Sequence, residues 1–449
     1  MGWIHGDAAH HLLALTVAIL LFLHGLLRPA AAKTFPGDAE ALRQLKEAVD
    51  PSSVPPGSCI NSWVFSTADP CDALYSANQF TCGFRCDAVD PAGLARVTDI
   101  SLDSAGYSGS LSPAVWIMPF LQTLEAPDNR FFGPIPPPPP PADLRQLRRV
   151  TLSGNAFSGG IPVANFPSLE ELYLDGNLLS GPMPVPMTSF PSLRHLEVQR
   201  NNLSGAFPDL SAMAALTYFD ASDNNLSGRM PSGPALPRSL VELSARNNAL
   251  EGPLPADLAT GLPSLQVLDL SHNRLGGRVP SSLFAHQALQ QLTLSYNQFT
   301  SLESSPPLWG WWRRMVATGN SGLVAVDLGH NHLAGTLPLG WVRAMPKLTA
   351  LSLEENLFTG MIPTEYAVRV AGARAGAGAD GATPLARLML AGNYLYGPIP
   401  SPLTGVKEGE ATVSLADNCL FRCPDAFFFC QGADQKQPST CRDFNPVIP

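Results

Sequence analysis

Between Cys86 and Cys419 the chain has no cysteine; its eight lie in two groups, Cys59, Cys71, Cys82 and Cys86 before the gap and Cys419, Cys423, Cys430 and Cys441 after it. A middle without thiols leaves no lone reactive cysteine to act as a nucleophile. Histidine is scarce as well: after residue 32 only His195, His272, His286, His330 and His332 remain, with no H-E-x-x-H pair and no G-x-S-x-G turn. The pair His330 and His332 flanks an asparagine on a turn, and Glu354 next to Glu355 has the same setting, so solvated polar residues explain both. The expectation is a protein that is not an enzyme and takes no cofactor or metal. Positive charge is in deficit too, with 28 Lys and Arg against 37 Asp and Glu, a net −9, which disfavours nucleic acid and acidic polysaccharide as partners. Long apolar runs are missing after Leu27. Val413 to Pro449 is interrupted throughout by Cys, Asp, Arg and Gln, so neither a stop-transfer helix nor a lipid-anchor tail is expected there.

What the chain does have is a period. Asparagines recur at 129, 155, 177, 201, 224, 248, 273, 297, 331, 356, 393 and 418, most of them about 24 residues apart and each inside one template. The template is clearest from Leu265 to Pro280, where apolar residues alternate over a short strand and meet Asn273. One such unit cannot bury its apolar side alone, whereas stacked units close a continuous core. A buried Asn amide can bond turn backbone groups that would otherwise be unsatisfied, which predicts a ladder of asparagines down a solenoid. After the Asn comes Leu-Ser-Gly-x-hydrophobic-Pro, as in Leu179 to Pro184, Leu203 to Pro208 and Leu226 to Pro231. There Gly permits a turn and Pro an extended return path. The abundant Pro (44) and Gly (38) are thereby patterned and do not signal disorder.

These repeats resemble those of plant-type extracellular leucine-rich repeat proteins, over residues 97–420. The resemblance implies an α/β solenoid, a right-handed superhelix (horseshoe) with a parallel β-sheet on its concave face and disulfide-stapled caps. It implies about 13 repeats, the first being Val97 to Leu111 with Ala105 where the ladder Asn belongs. Residues 33–96 would be the N-terminal cysteine cap, since Ser62-Trp63 and Asp69-Pro70-Cys71 are similar to that cap, and Asp38 to Val49 reads as its amphipathic helix. Residues 419–449 would be the C-terminal cap and tail. Two disulfides are expected in each cap, and spacing leaves all three pairings open in each. Metal binding through Cys82 and Cys86 or Cys419 and Cys423 is the weaker alternative in an oxidising compartment.

Secretion is expected because Leu12 to Leu27 is apolar and Ala30-Ala31-Ala32 provides a cleavage pattern before Lys33, so residues 1–32 read as a signal peptide. That segment carries one acidic and one basic residue, Asp7 and Arg28, so the −9 balance holds without it. The weak positive charge of its first residues leaves a retained anchor as the competing reading. Two sequons, at Asn202 and Asn225, are candidate glycosylation sites in adjacent repeats; the plainer reading is an unmodified polar turn.

Three segments break the period. Pro136 to Pro141 is six consecutive prolines, stiff and extended, a docking strip or, more simply, a rigid loop. An insertion near 300–322 holds Trp309, Trp311, Trp312, Arg313 and Arg314, a recognition-type set unless folded back against the repeats. A second insertion near 366–384 contains Gly376, Gly378 and Gly381 in G-x-G-x-x-G spacing, but with no strand before it and no helix after, a flexible loop is the reading.

Function should lie where strand side chains point away from the core. Alternation puts Tyr173, Asp175, His195, Glu197, Arg200, Tyr218, Asp220, Glu242, Arg246, Asp269 and Tyr296 on the concave face, with Glu171, Gln199, Asp223, Ser244, His272, Gln291, Thr293 and Ser295 beside them. So broad a polar surface suits an extracellular protein or peptide better than a small apolar ligand. Resemblance to receptor-like proteins implies recognition at the plant cell surface in signalling or defence, with a leucine-rich repeat receptor kinase ectodomain as a partner, since no kinase motif follows the repeats. Resemblance to polygalacturonase-inhibiting proteins implies instead an inhibitor of wall-degrading hydrolases, against which stand the extra repeats, the insertions and the acidic balance. A structural cell-wall protein tethered through the proline run is the third alternative. The expected location is extracellular, in the apoplast or cell wall.

Overall fold

The computed structural model describes residues 33–66, 69–74, 80–140, 144–162, 165–184, 190–303, 321–372 and 382–448. Residues 1–32, read above as a signal peptide, the tryptophan insertion at 309–314 and the glycine triplet at 376–381 lie outside the described residues. The rest forms two compact units, one reaching residue 131 and taking in 138–147, the other made of 132–137 and 148 onward.

In the first unit, helix α1 (Pro36–Glu47) starts at a proline and buries Ala41, Leu42 and Leu45, the expected apolar side, with bounds two residues earlier than the sequence pattern suggests. Its Asp38 is fully buried and forms a two-pronged ion pair with Arg96, both distances 2.9 Å. The Arg96 guanidinium lies 4.1 Å from the ring centre of Phe35 and 4.4 Å from that of Phe120, so aromatic faces replace its water. The disulfides pair Cys59 with Cys82 and Cys71 with Cys86, an interleaved arrangement. Trp63 is packed beside them, edge-on to Phe84 at 5.4 Å, its ring N–H donating to the Cys82 carbonyl at 2.6 Å. Strand β1 (Phe84–Arg85) runs antiparallel to β2 (Asp99–Ser101), which pairs in parallel with β3 (Thr123–Glu125). Gly109 (φ 138°) lets the strand after Tyr107 lie against the end of α1, because a Cβ there would meet the Ala48 carbonyl at 2.3 Å.

The second unit is built on parallel strands of three residues each: β4 (Arg149–Thr151), β5 (Glu171–Tyr173), β6 (His195–Glu197), β7 (Tyr218–Asp220), β8 (Glu242–Ser244), β9 (Val267–Asp269), β10 (Gln291–Thr293), β11 (Ala325–Asp327), β12 (Ala350–Ser352), β13 (Arg387–Met389) and β14 (Thr412–Ser414). Each pairs with the next without a slip, so the central residues Leu172, Leu196, Phe219, Leu243 and Leu268 form one buried column. Each such side chain contributes about 1.5–3 kcal/mol by leaving water. Further rows of short strands follow the asparagines, from Ala156–Gly159 to Gln298–Leu302 and again from Ala334–Thr336 to Cys419–Phe421.

The asparagine ladder is present and does more than cap its own turn. Asn273 Nδ2 donates to the carbonyls of Leu270 and Ser271 in its own repeat and of Ala245 in the preceding one, at 3.0–3.1 Å, while its Oδ1 accepts from the Leu250 N–H at 3.0 Å. The same four bonds recur at Asn224, Asn297, Asn331, Asn356, Asn393 and Asn418. Each amide therefore ties two repeats together. The residue before the ladder Asn is left-handed, φ 51–70°, at all twelve positions, a glycine only at 154, 176 and 392. Elsewhere a side-chain-bearing residue such as Arg200, His272 or Tyr296 takes that conformation, at about 1 kcal/mol each.

At the C-terminal end Cys419 pairs with Cys441 and Cys423 with Cys430, one bridge nested in the other. Gln435 there takes the place of a further ladder residue: its Oε1 accepts from the Leu420 N–H and its Nε2 donates to the Leu415 carbonyl, both at 3.1 Å.

Candidate recognition face of the sheet

Alternation on three-residue strands leaves two side chains per repeat on the outer face of the sheet, and the register stacks them in columns. The first column reads Glu171, His195, Tyr218, Glu242; the second reads Tyr173, Glu197, Asp220, Ser244. Their content differs sharply from repeat to repeat, unlike the leucines between them.

On β5 to β7 the aromatic rings gather. His195 and Tyr218 are parallel to within 4° with centres 4.1 Å apart, and Tyr173 leans on the other side of His195 at 4.9 Å. Carboxylates surround them. Glu197 accepts from or shares a proton with His195 Nε2 at 2.7 Å and accepts from Gln199 Nε2 at 2.8 Å. Glu171 is paired with Arg149 at 2.8 Å and accepts from the Tyr173 hydroxyl at 3.1 Å. Asp220 accepts from the Ser222 N–H at 2.8 Å. Glu242 is different: no side-chain hydrogen bond or ion pair reaches it among the described residues. The Gln199 Oε1 atom is also enclosed, with no donor among the described residues.

Burial first, and the crowding of like charges after it, shifts these groups. Burial and then the charge of Asp220 raise the Glu242 carboxyl above its usual range. Burial raises Asp220 against the lowering effect of its Ser222 bonds, with Glu197 adding to the rise. The Tyr173 phenol is pushed up to about 12, by burial first and Glu171 second, and the Tyr218 phenol rises further, by burial and then Glu242 and Asp220.

The other expected face residues have mixed fates. Asp175 is only 8% exposed and is held by Arg200 at 2.9 Å, so it serves as an anchor for that arginine more than as an open contact. Ser244 and Ser295 are buried, and Ser244 shares a hydrogen bond with Ser222 at 2.6 Å. Asp269 is turned back onto the Ser271 N–H and hydroxyl. Arg246 is exposed, as is Tyr296 at 46%. Tyr296 sits between His272 and His330, ring centres 4.1 and 4.0 Å away and nearly parallel. This second stack was not foreseen at His330. The signal was available: His272, Tyr296 and His330 occupy the same template position, immediately before three successive ladder asparagines. Among the described residues no set of three His, Cys, Asp or Glu forms a metal site. His286 is buried and bonded to the Leu262 carbonyl and the Ala288 and Leu289 N–H groups, a structural role.

Asn202 and Asn225 are both exposed, and Asn225 Nδ2 donates to Asn202 Oδ1 at 2.5 Å, so the two sequons sit side by side. No helix among the described residues is long and apolar enough to cross a membrane.

A sequence model of the leucine rich repeat family matches residues 238–299. Receptor-like protein 54 of Arabidopsis thaliana is 28% identical over 144 residues, which is 32% of this chain and 15% of that protein. The match thus spans a small part of that curated relative. Among solved structures, the plant peptide hormone receptor RGFR1 in complex with RGF2 superposes with a TM-score of 0.53 at 24% identity, covering 70% of this chain and 50% of that one. A leucine-rich repeat protein of Leptospira interrogans gives a TM-score of 0.50 at 22% identity over 78% of this chain and 89% of its own. At these identities the structural likeness establishes the fold.

Proposed function

From the premise that this chain is a leucine-rich repeat protein of the plant type, we propose that it is a non-catalytic recognition protein that works outside the cell and binds a peptide or protein partner on the face of β5 to β8. The observation that carries this reading is the contrast between a uniform core stitched by the asparagine amides and a sheet face bearing stacked aromatic rings and a carboxylate, Glu242, without a side-chain partner among the described residues. Such a face offers large rigid rings, enriched at binding hot spots, and polar groups that gain by meeting a partner. A shared fold with RGFR1, named as a peptide hormone receptor in complex with RGF2, supports a peptide or a partner receptor ectodomain as the bound species. Residues 1–32 act as the leader in this reading, and Asn202 and Asn225 carry glycans; a mobility shift on glycosidase treatment of the secreted protein checks the latter. The process served is signalling or defence at the cell surface.

The test is capture of partners from plant membrane and wall extracts by the secreted protein and by a variant with Ala at Tyr173, Glu197 and Tyr218. A receptor ectodomain or secreted peptide that is lost in the variant supports the proposal. Capture of a wall hydrolase, with direct inhibition of its activity, replaces it by the inhibitor reading. Partners retained in full by the variant overturn the assignment to this face.

A further inference from the structure

The stack on β5 to β7 is closed on one side and open on the other. His195 lies between Tyr173 and Tyr218, so its two faces are covered, whereas the face of Tyr218 turned away from His195 looks along the column toward Glu242. Glu242 is the register partner of Tyr218, one strand on, and unlike Glu171 in the same column it has no side-chain partner among the described residues. Asp220 is close enough for its charge to act on Glu242, and its Oδ1 accepts from the Ser222 N–H. Arg149 is taken by Glu171 and Arg200 by Asp175, and among the described residues Arg246 makes no ion pair. A ring stacked on one face only among the described residues, a carboxylate raised by burial and then by its neighbour's charge, and that neighbouring carboxylate together lack one thing, a flat cation with several donors.

Resting on the recognition reading above, we infer that the gap between the Tyr218 ring and Glu242 is a subsite for an arginine side chain of the bound peptide or protein. The guanidinium stacks on the ring while its N–H groups donate to Glu242 and Asp220. A planar fork meets both demands at once, and an ammonium, compact and strongly hydrated, meets only the charge.

The probe is N-acetyl-arginine amide, with the amides of N-acetyl-citrulline and N-acetyl-lysine for comparison, added to the secreted protein labelled at its histidine rings. The expected result is a saturable shift of the His195 ring resonances by the arginine amide, half complete at a concentration on the order of millimolar. Citrulline, the same shape without charge, gives no shift, and lysine at least about tenfold weaker binding. Glu242→Gln and Tyr218→Ala each weaken the arginine response about tenfold or more, while Tyr218→Phe, which keeps the ring, retains it and shows that the fold is intact. No His195 shift up to the solubility of the arginine amide, or equal shifts from arginine and citrulline, overturns the subsite; equal responses from arginine and lysine overturn the guanidinium assignment. A partner that is lost with the Tyr173, Glu197 and Tyr218 variant but is not displaced by arginine amide sinks this inference and leaves the recognition reading standing.

Discussion

Two sets of residues in the same repeats of the second unit obey opposite rules. Those facing inward, the central leucines and the ladder asparagines, are nearly the same in every repeat and have every polar group bonded. Those facing outward change from one repeat to the next, and at Glu242 they leave a carboxylate without a side-chain partner among the described residues. The inward set carries stability and the outward set is free of that duty. What the outward set holds is therefore informative about function in a way that the leucines are not.

Substitutions can break or sharpen that contrast. The largest loss is expected for Arg96→Ala in the first unit, which leaves Asp38 charged and buried without its partner; about 3–5 kcal/mol should disappear from chemical unfolding, and a loss under 1 kcal/mol would mean the pair is not closed off from water. Asn273→Ala removes four bonds from backbone groups of two repeats and should cost about 2–4 kcal/mol, read as a lower denaturant midpoint and faster amide exchange at Leu250. Tyr218→Ala, on the outer face, should move unfolding by less than about 1 kcal/mol while abolishing partner capture; the contrast fails if stability falls as far as in Asn273→Ala.

Smaller effects come from titration. Because the folded carboxyl of Glu242 is raised, the folded state holds a proton there at pH values where the unfolded chain has released it. Its contribution is favourable below the unfolded range near 4 and is lost as pH rises through the folded value, so Glu242→Gln should slightly raise the melting temperature at pH 7 and leave it unchanged near pH 3. The smallest effect is at Tyr173. Its phenol, held to about 12, keeps its proton in the folded state between its ordinary value of 10.0 and that point. Its share of stability is present below pH 10 and is lost as pH rises toward 12. Tyr173→Phe should remove one late phenolate transition from an ultraviolet titration.

The period of asparagines made the solenoid legible because one side chain solves the same backbone problem in every repeat, and the family resemblance supplied its handedness and caps. Strand alternation correctly separated Leu172, Leu196 and Phe219 from Tyr173, His195 and Tyr218. What alternation could not convey is lateral contact. The tilt of Tyr173 onto His195 joins different template positions, and the withdrawal of Asp175 depends on where the Arg200 side chain goes. Disulfide pairing was equally hidden: the interleaved and the nested arrangements use the same number of cysteines, and only the folded caps distinguish them. Gln435 escaped notice because it completes the ladder from outside the repeat template.

The ladder has a bearing on how such a chain can change length. Each amide reaches back one repeat in space, whatever the distance along the chain. Asn331 still accepts from the Phe299 N–H, 32 residues earlier, and Asn393 from the Phe358 N–H, 35 residues earlier, at 3.0 Å in both cases, against a separation of 22 for Asn297 and Leu275. Extra sequence inserted after a strand therefore leaves the stitching intact. Loops can be lengthened, shortened or exchanged as grafts between fixed stitches, so that new surface is acquired without renegotiating the core.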